Sequence, residues 1–167
     1  MKRILIVTGG SGGHVMPALS IFDHLKNNFE TSIVTDIRGS KFINKNLYQY
    51  SLIDVPNLFS RIYLLPLNII KFFLSILKSY FFLKKKNINF LISTGGYMSI
   101  PFCVASKLLN IKIFLFEPNS VLGRSNKFML SFAKKIICYD KDTKLFPKKY
   151  KDKIYLIDPV LRKEIYL

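Results

Sequence analysis

Short apolar runs alternate along the chain with longer stretches of helical periodicity, and this pattern limits the possible folds more than any other feature. Runs that are apolar throughout are typical of strands buried on both faces. Their alternation with helices predicts an α/β domain: a parallel sheet of about seven strands with helices on both faces. The predicted strands are Ile4–Thr8, Thr31–Thr35, Leu52–Val55, Phe90–Ser93, Ile111–Phe116, Lys135–Tyr139 and Ile154–Ile157, and the predicted helices are Val15–Leu25, Leu67–Leu83, Pro101–Leu109 and Ser125–Ala133.

The length and composition are those of one globular domain. The chain has 167 residues, half of them hydrophobic, which predicts a single domain over residues 1–167 and argues against disorder. Cys103 and Cys138 lie in apolar runs outside any CxxC motif. We expect them to be buried free thiols. Because no Cys/His cluster is apparent, we predict neither a metal site nor a cofactor.

The formal net charge of +16 indicates an anionic partner, with a general compositional excess of lysine as the alternative. Nucleic acid, an anionic membrane surface and a pyrophosphate-containing substrate are the candidate partners. The chain lacks an aromatic RNA-binding motif and a clustered basic recognition helix, so we predict that it does not bind nucleic acid. The membrane surface and the pyrophosphate remain.

A glycine-rich loop, Gly9–His14, follows the first predicted strand. Glycines let the backbone approach a ligand closely, and the start of the next helix attracts phosphate. The spacing differs from that of dinucleotide-binding loops, and no P-loop lysine follows; a tight turn without a ligand is the alternative. His14 stands directly after the glycines, where it suits a general base or a hydrogen-bond donor, or else a structural role.

Two more unusual loops, Thr94–Tyr97 and Glu117–Asn119, also follow predicted strands. Ligands bind beyond the carboxyl ends of the strands in parallel sheets, so we expect all three loops to share one rim. The Glu117 carboxylate suits acceptance of sugar hydroxyls or pairing with a cation. The alternatives are that Asn119 or Ser120 only caps a helix and that Tyr97 is only a packing residue without a ligand.

The helical part of the segment Leu58–Lys86 is nearly all aliphatic or aromatic apart from lysines spaced seven residues apart. Its charged residues and Pro66 interrupt the run of about 20 apolar residues that a membrane-spanning helix needs. An amphipathic helix in the membrane interface fits better, whereas a core helix with outward lysines is the alternative. The residues expected to contact an anionic membrane are Lys71, Phe72, Phe73, Lys78, Phe81 and Lys85.

Three segments resemble the N-terminal half of the glycosyltransferase family 28 enzymes of peptidoglycan synthesis. They are ILIVTGGSGGHVMPALSI, LISTGGYMSIPFCVASKLLNIKIFLFEPNSVLGRSNK and DPVLRKEI. The resemblance implies a GT-B fold, in which two Rossmann-like domains face each other across a cleft. The N-terminal domain of that fold receives a lipid-linked acceptor, and the C-terminal domain holds most of the UDP-N-acetylglucosamine donor.

The same resemblance assigns residues to roles. Phe116-Glu117-Pro118-Asn119 stands where the family usually has His-Glu-Gln-Asn, and the last motif carries one extra residue before Arg162. His14 is the implied base or acceptor-positioning group. Ser11, Gly12, Gly13, Asn119 and Arg162 are expected to touch the donor, and Tyr97 lines the acceptor side with His14. Gly95 and Gly96 are expected to bind substrate, and Glu117 and Asn126 to support the site.

The implied reaction is inverting transfer of N-acetylglucosamine to an undecaprenyl-linked peptidoglycan precursor, from lipid I to lipid II. It would take place at the cytoplasmic face of the plasma membrane, with the chain bound peripherally and UDP-N-acetylglucosamine as donor substrate. A C-terminal donor-binding domain is absent from residues 1–167, so we expect a separate donor-domain partner or a longer parent protein. The alternative is a non-catalytic subunit that docks on the membrane and recruits the catalytic one.

Overall fold

The computed structural model describes residues 1–56 and 65–160. Seven parallel strands form one sheet in the spatial order β3-β2-β1-β4-β5-β6-β7, which confirms the predicted α/β fold. Their bounds are β1 Arg3–Val7, β2 Glu30–Thr35, β3 Tyr50–Leu52, β4 Phe90–Ser93, β5 Lys112–Glu117, β6 Lys135–Cys138 and β7 Ile154–Leu156.

The described helices lie between these strands. They are α1 Gly12–Leu25, α2 Ile37–Ser40, α3 Leu65–Lys85, α4 Ser99–Leu108 and α5 Arg124–Met129, and a short 3-10 helix at Lys148–Lys153 precedes β7. α3 runs two residues further at each end than predicted, and lysines occupy its last turn. Cations there are favourable beside the unpaired carbonyl groups of the helix end.

Hydrophobic clusters cover both faces of the sheet. Within β1, Leu5 and Val7 belong to one cluster and Ile4 and Ile6 to the other, as the alternation of side chains along a strand requires. Val15, Ala18 and Leu19 of α1 pack into the second cluster. The first cluster includes side chains of α3, α4 and α5: Leu83, Phe102 and Met129.

The third strand differs from the prediction. β3 covers Tyr50–Leu52, paired with Ile33–Thr35 of β2, whereas the sequence predicted Leu52–Val55. The reason is that Val55 lies past the paired residues and packs into the core instead. Cys103 and Cys138 are free and buried, as predicted. Burial raises the pKa of both thiols, to about 11 for Cys138.

α3 buries mainly polar side chains and exposes large apolar ones, which is the reverse of an ordinary surface helix. Its buried residues are Asn68, Ser75, Ser79 and Leu83. Five large apolar side chains on its outer side are 51–65% exposed, and we call them the α3 apolar face: Ile70, Phe73, Leu74, Leu77 and Phe81. By length and composition α3 alone among the described helices is long and apolar enough to cross a membrane, and four of its 21 residues are buried.

Candidate functional site

The three loops lie side by side at the carboxyl edge of the sheet, which we call the rim. β4 is hydrogen-bonded between β1 and β5, so the loops that follow these three strands are neighbours. α1 begins at Gly12, inside the first loop. The N–H groups of Gly12 and Gly13 therefore have no acceptor within the helix, and Ser11 stands exposed at its N-cap. This helix start can accept an anionic group.

His14 links the first and second loops. Its Nδ1 lies 2.9 Å from the carbonyl oxygen of Thr94. A carbonyl can only accept, so this hydrogen bond requires the proton on Nδ1 and leaves Nε2 of the neutral ring with a free lone pair. The ring is half-buried and therefore reachable from the rim. This is the state that a general base needs.

Gly95 and Gly96 allow the two loops to touch. Both have positive φ, of 93° and 84°, where a side chain is strained. A Cβ on Gly96 would lie 2.8 Å from the carbonyl oxygen of Gly9, and one on Gly95 would lie 3.1 Å from the His14 ring. The glycines therefore set how closely His14 and the second loop pack.

Glu117 organises the third loop. The carboxylate is buried, and Oε1 accepts from the backbone N–H and from Nδ2 of Asn119, at 3.3 and 2.8 Å. Oε2 accepts from the Gly123 N–H at 2.8 Å and from Nδ2 of Asn126 at 3.0 Å. These four N–H donors hold Asn119 exposed on the rim and fix the start of α5.

Asn126 connects this network to the second loop. Its Nδ2 also donates to the Phe116 carbonyl oxygen at 3.1 Å, and the side chain lies close to Gly95. Asn126 Oδ1 is buried and has no hydrogen-bond partner in the part of the chain that the structure describes. Phe116 is buried with its ring against Tyr139.

The structure places two residues beside the first loop that the sequence reasoning missed, Asp36 and Arg38. Asp36 directly follows β2 and is buried; Oδ1 accepts from the N–H groups of Gly10 and Gly39, at 2.9 and 2.7 Å. Its Oδ2 lies 3.4 Å from the exposed guanidinium of Arg38. A polar residue at the end of a parallel strand was the signal that would have identified Asp36.

A cleft of about 740 Å³ opens from the rim between α4 and α5, and we call it the α4/α5 cleft. His14, Gly96, Tyr97, Gly123, Arg124 and Ser125 line it near the rim. Phe72, Ile100, Val104 and Phe128 supply apolar walls. Its size is typical of small-molecule sites.

Five of the six residues predicted to meet a membrane are exposed on α3; Phe72 differs. Its half-buried ring lies 5.8 Å from that of Tyr97 and lines the cleft, because its position on the helix turns it toward the core. Arg162 lies outside the described residues. Among residues 1–56 and 65–160, no three His, Cys, Asp or Glu side chains gather as metal ligands would.

The comparisons with known proteins agree with this architecture. Residues 4–138 match the glycosyltransferase family 28 N-terminal domain. The chain belongs to glycosyltransferase family 28. A family relative from Pelagibacter ubique is 51% identical over 165 residues, which cover 99% of this chain and 46% of the relative. That relative is named as the UDP-N-acetylglucosamine–N-acetylmuramyl-(pentapeptide) pyrophosphoryl-undecaprenol N-acetylglucosamine transferase.

Two solved structures share the fold of this family domain. MurG of Acinetobacter baumannii superposes with a TM-score of 0.77 at 22% identity, over 98% of this chain and 47% of that one. The S. aureus MnaA–UDP structure gives a TM-score of 0.70 at 13% identity, over 93% of this chain and 43% of that one. The chain spans about half the length of the curated relatives it matches.

Proposed function

We propose that this chain is the acceptor-side half of an inverting N-acetylglucosaminyltransferase that uses UDP-N-acetylglucosamine and a pyrophosphoryl-undecaprenol-linked muramyl peptide, converting lipid I to lipid II. The hydrogen bond from His14 Nδ1 to the Thr94 carbonyl oxygen carries the proposal, because it leaves Nε2 as a proton acceptor. The name of the relative from Pelagibacter ubique supplies the substrates. A donor-binding domain, on this or another polypeptide, completes the site.

In the proposed reaction the acceptor hydroxyl oxygen forms a bond to C1 of N-acetylglucosamine. The bond from C1 to the β-phosphate oxygen breaks, and UDP leaves with the electron pair. His14 Nε2 takes the hydroxyl proton. The N–H groups of Gly12 and Gly13 and the exposed Asn119 face the donor from this side, and Gly95, Gly96 and Tyr97 face the acceptor. Glu117 and Asn126 hold the third loop in place.

The α3 apolar face supports a peripheral position on the cytoplasmic surface of the plasma membrane. Apolar side chains on the outside of a helix, beside Lys71, Lys78 and Lys85, suit the boundary between headgroups and acyl chains. An acceptor that keeps its lipid chain in the bilayer requires a cleft close to that surface, and Phe72 connects α3 with the cleft.

The test joins this chain to the donor-binding half of the Pelagibacter ubique relative and measures N-acetylglucosamine transfer to a lipid-linked acceptor. We expect His14→Ala to lower kcat by about 10²-fold or more, because proton transfer contributes that much. His24→Ala is the matched control, since His24 Nδ1 lies 2.8 Å from the Ser20 carbonyl oxygen within α1, away from the rim. A loss below about threefold for His14→Ala would favour the alternative, a non-catalytic docking subunit.

A further inference from the structure

The polar residues that line the α4/α5 cleft lie at its rim end. Both helices start at the rim, α4 after the second loop and α5 after the third. Gly96, Arg124 and Ser125 line the cleft where the helices begin. Val104 and Phe128 lie about 6 Å or more further along the helix axes, at 1.5 Å per residue.

Each end of the cleft presents an exposed side chain. Phe128 is 62% exposed although it lines the cleft. Arg124 is also exposed, and it makes no hydrogen bond or ion pair with any other residue in the described parts of the chain. A guanidinium group at the entrance favours a pyrophosphate, whose oxygens it can bind through two parallel hydrogen bonds.

We propose that the α4/α5 cleft binds the pyrophosphate and the first isoprenyl units of the acceptor, with Arg124 on the pyrophosphate and Phe128 and Val104 on the hydrocarbon. This inference rests on the proposed function, which makes the acceptor a sugar joined through pyrophosphate to a polyprenyl chain. The sugar end then meets His14, which lines the rim end of the same cleft.

α3 lies where the remainder of the lipid would leave the cleft. Phe72 lines the cleft, and the next residue, Phe73, belongs to the α3 apolar face. A polyprenyl chain that leaves past Phe72 therefore meets α3, the helix that carries the surface proposed to enter the membrane. The isoprenyl units in the cleft stay in contact with protein, while those beyond it return to the bilayer.

The experiment measures by calorimetry how tightly the chain binds farnesyl pyrophosphate, below its critical micelle concentration, and inorganic pyrophosphate. We expect farnesyl pyrophosphate to bind at least about tenfold tighter, because its hydrocarbon is removed from water. Phe128→Ala should weaken farnesyl pyrophosphate binding about fivefold to tenfold and change pyrophosphate binding less than about twofold. Arg124→Ala should weaken both ligands about tenfold.

Matched variants separate this subsite from general surface effects. Tyr155 on β7 is an aromatic residue of similar exposure, 59%, and Lys127 is an exposed cation on α5; neither lines the cleft. Tyr155→Ala and Lys127→Ala should each leave both affinities within about twofold. Phe128→Leu, which keeps an apolar side chain, should retain most of the farnesyl pyrophosphate affinity. Amide spectra of each variant verify that it is folded.

Two results would overturn the inference: equal affinity for the two ligands, or a loss in Phe128→Ala no larger than that in Tyr155→Ala. Failure of the proposed function gives a different pattern. The subsite would then bind farnesyl pyrophosphate through Phe128, while the joined two-domain protein transfers no sugar. If transfer occurs and Phe128→Ala leaves the KM for the lipid-linked acceptor unchanged, the subsite alone is wrong.

Discussion

Helices α3 and α4 pack against each other and are both strongly apolar, yet they bury different kinds of side chain. α4 directs Phe102, Cys103 and Ala105 into the core, as an ordinary helix of an α/β domain does. α3 turns Ser75 and Ser79 inward and leaves the α3 apolar face outside. The two helices show that an apolar sequence predicts a helix without saying which face is buried.

The inward serines make this arrangement possible. Ser75 Oγ donates to the Lys71 carbonyl oxygen at 2.9 Å, and Ser79 Oγ donates to the Ser75 carbonyl oxygen at 2.8 Å. Each hydroxyl is thus satisfied within its own helix, so its burial costs little. Because the side chains are small, α3 can lie close to α4. The larger side chains of the α3 apolar face stay on the surface, as at sites that contact a membrane or another protein.

The largest expected effect contrasts one phenylalanine from each helix. Phe102 on α4 is fully buried and meets the Phe82 ring at 6.0 Å, whereas Phe73 on α3 is 65% exposed. Phe102→Ala should lower the free energy of unfolding by about 3–5 kcal/mol through the cavity it leaves. Phe73→Ala should change it by less than about 0.5 kcal/mol. Urea unfolding followed by circular dichroism measures both, and similar losses in the two variants would show that α3 is an ordinary core helix.

The next effect concerns the lysines beside the α3 apolar face. We expect co-sedimentation with liposomes to require anionic lipid, since each lysine near such a surface contributes about 1 kcal/mol. Replacing Lys71, Lys78 and Lys85 by Glu should abolish most binding. High salt should weaken the binding of the native chain without eliminating it, because salt screens the charges and leaves the apolar contact intact.

A matched triple variant controls for net charge in that experiment. Lys134, Lys141 and Lys148 are also exposed and lie outside α3. Changing them to Glu alters the net charge by the same amount and should preserve most of the binding. If the α3 triple variant still sediments fully, or if both triple variants lose binding equally, the α3 face has no specific role at the membrane.

Most of the fold was predictable because its signals are local. Each central strand is a short apolar run that stays apolar on both faces of the sheet, and the glycine and proline loops mark where such runs end. β3 was misplaced because it is an edge strand of three residues, and its bounds depend on pairing with β2. The short helix α2 was missed for a similar reason: it is held by the side chain of Asp36 accepting from Gly39 N–H.

The positions of the loops of the candidate site were predictable from the sequence, but the walls of its cleft were less so. Because the ends of neighbouring parallel strands meet at one edge, the sequence was sufficient to predict that the loops of His14, Gly95 and Glu117 lie together. In the sequence, Arg124 and Phe128 look like ordinary surface residues of a helix. Only the packing of α4 against α5 places them in one cleft. The inward turn of Phe72 likewise depends on how α3 is rotated about its axis, which its composition does not specify.

The last prediction concerns thiol reactivity on the two helices. The substitution it uses, Leu74→Cys on α3, should leave the free energy of unfolding nearly unchanged. Cys103 lies on the buried face of α4, where burial raises its pKa well above the ordinary range of a thiol; the pKa of Cys138 is raised to about 11 for the same main reason. The thiolate is the reactive form, so both cysteines stay protonated and unreactive as the pH rises from 7 to 9. A cysteine introduced by Leu74→Cys, at a position 51% exposed on α3, should react with iodoacetamide, and faster as the pH rises toward the ordinary thiol pKa of about 8.5. Intact-mass measurement of this variant should show one adduct in the native protein and three in urea. Modification of Cys103 in the native protein at the rate of the introduced thiol would mean that the inner face of α4 is as accessible as the outer face of α3, and the contrast between the two helices would not hold.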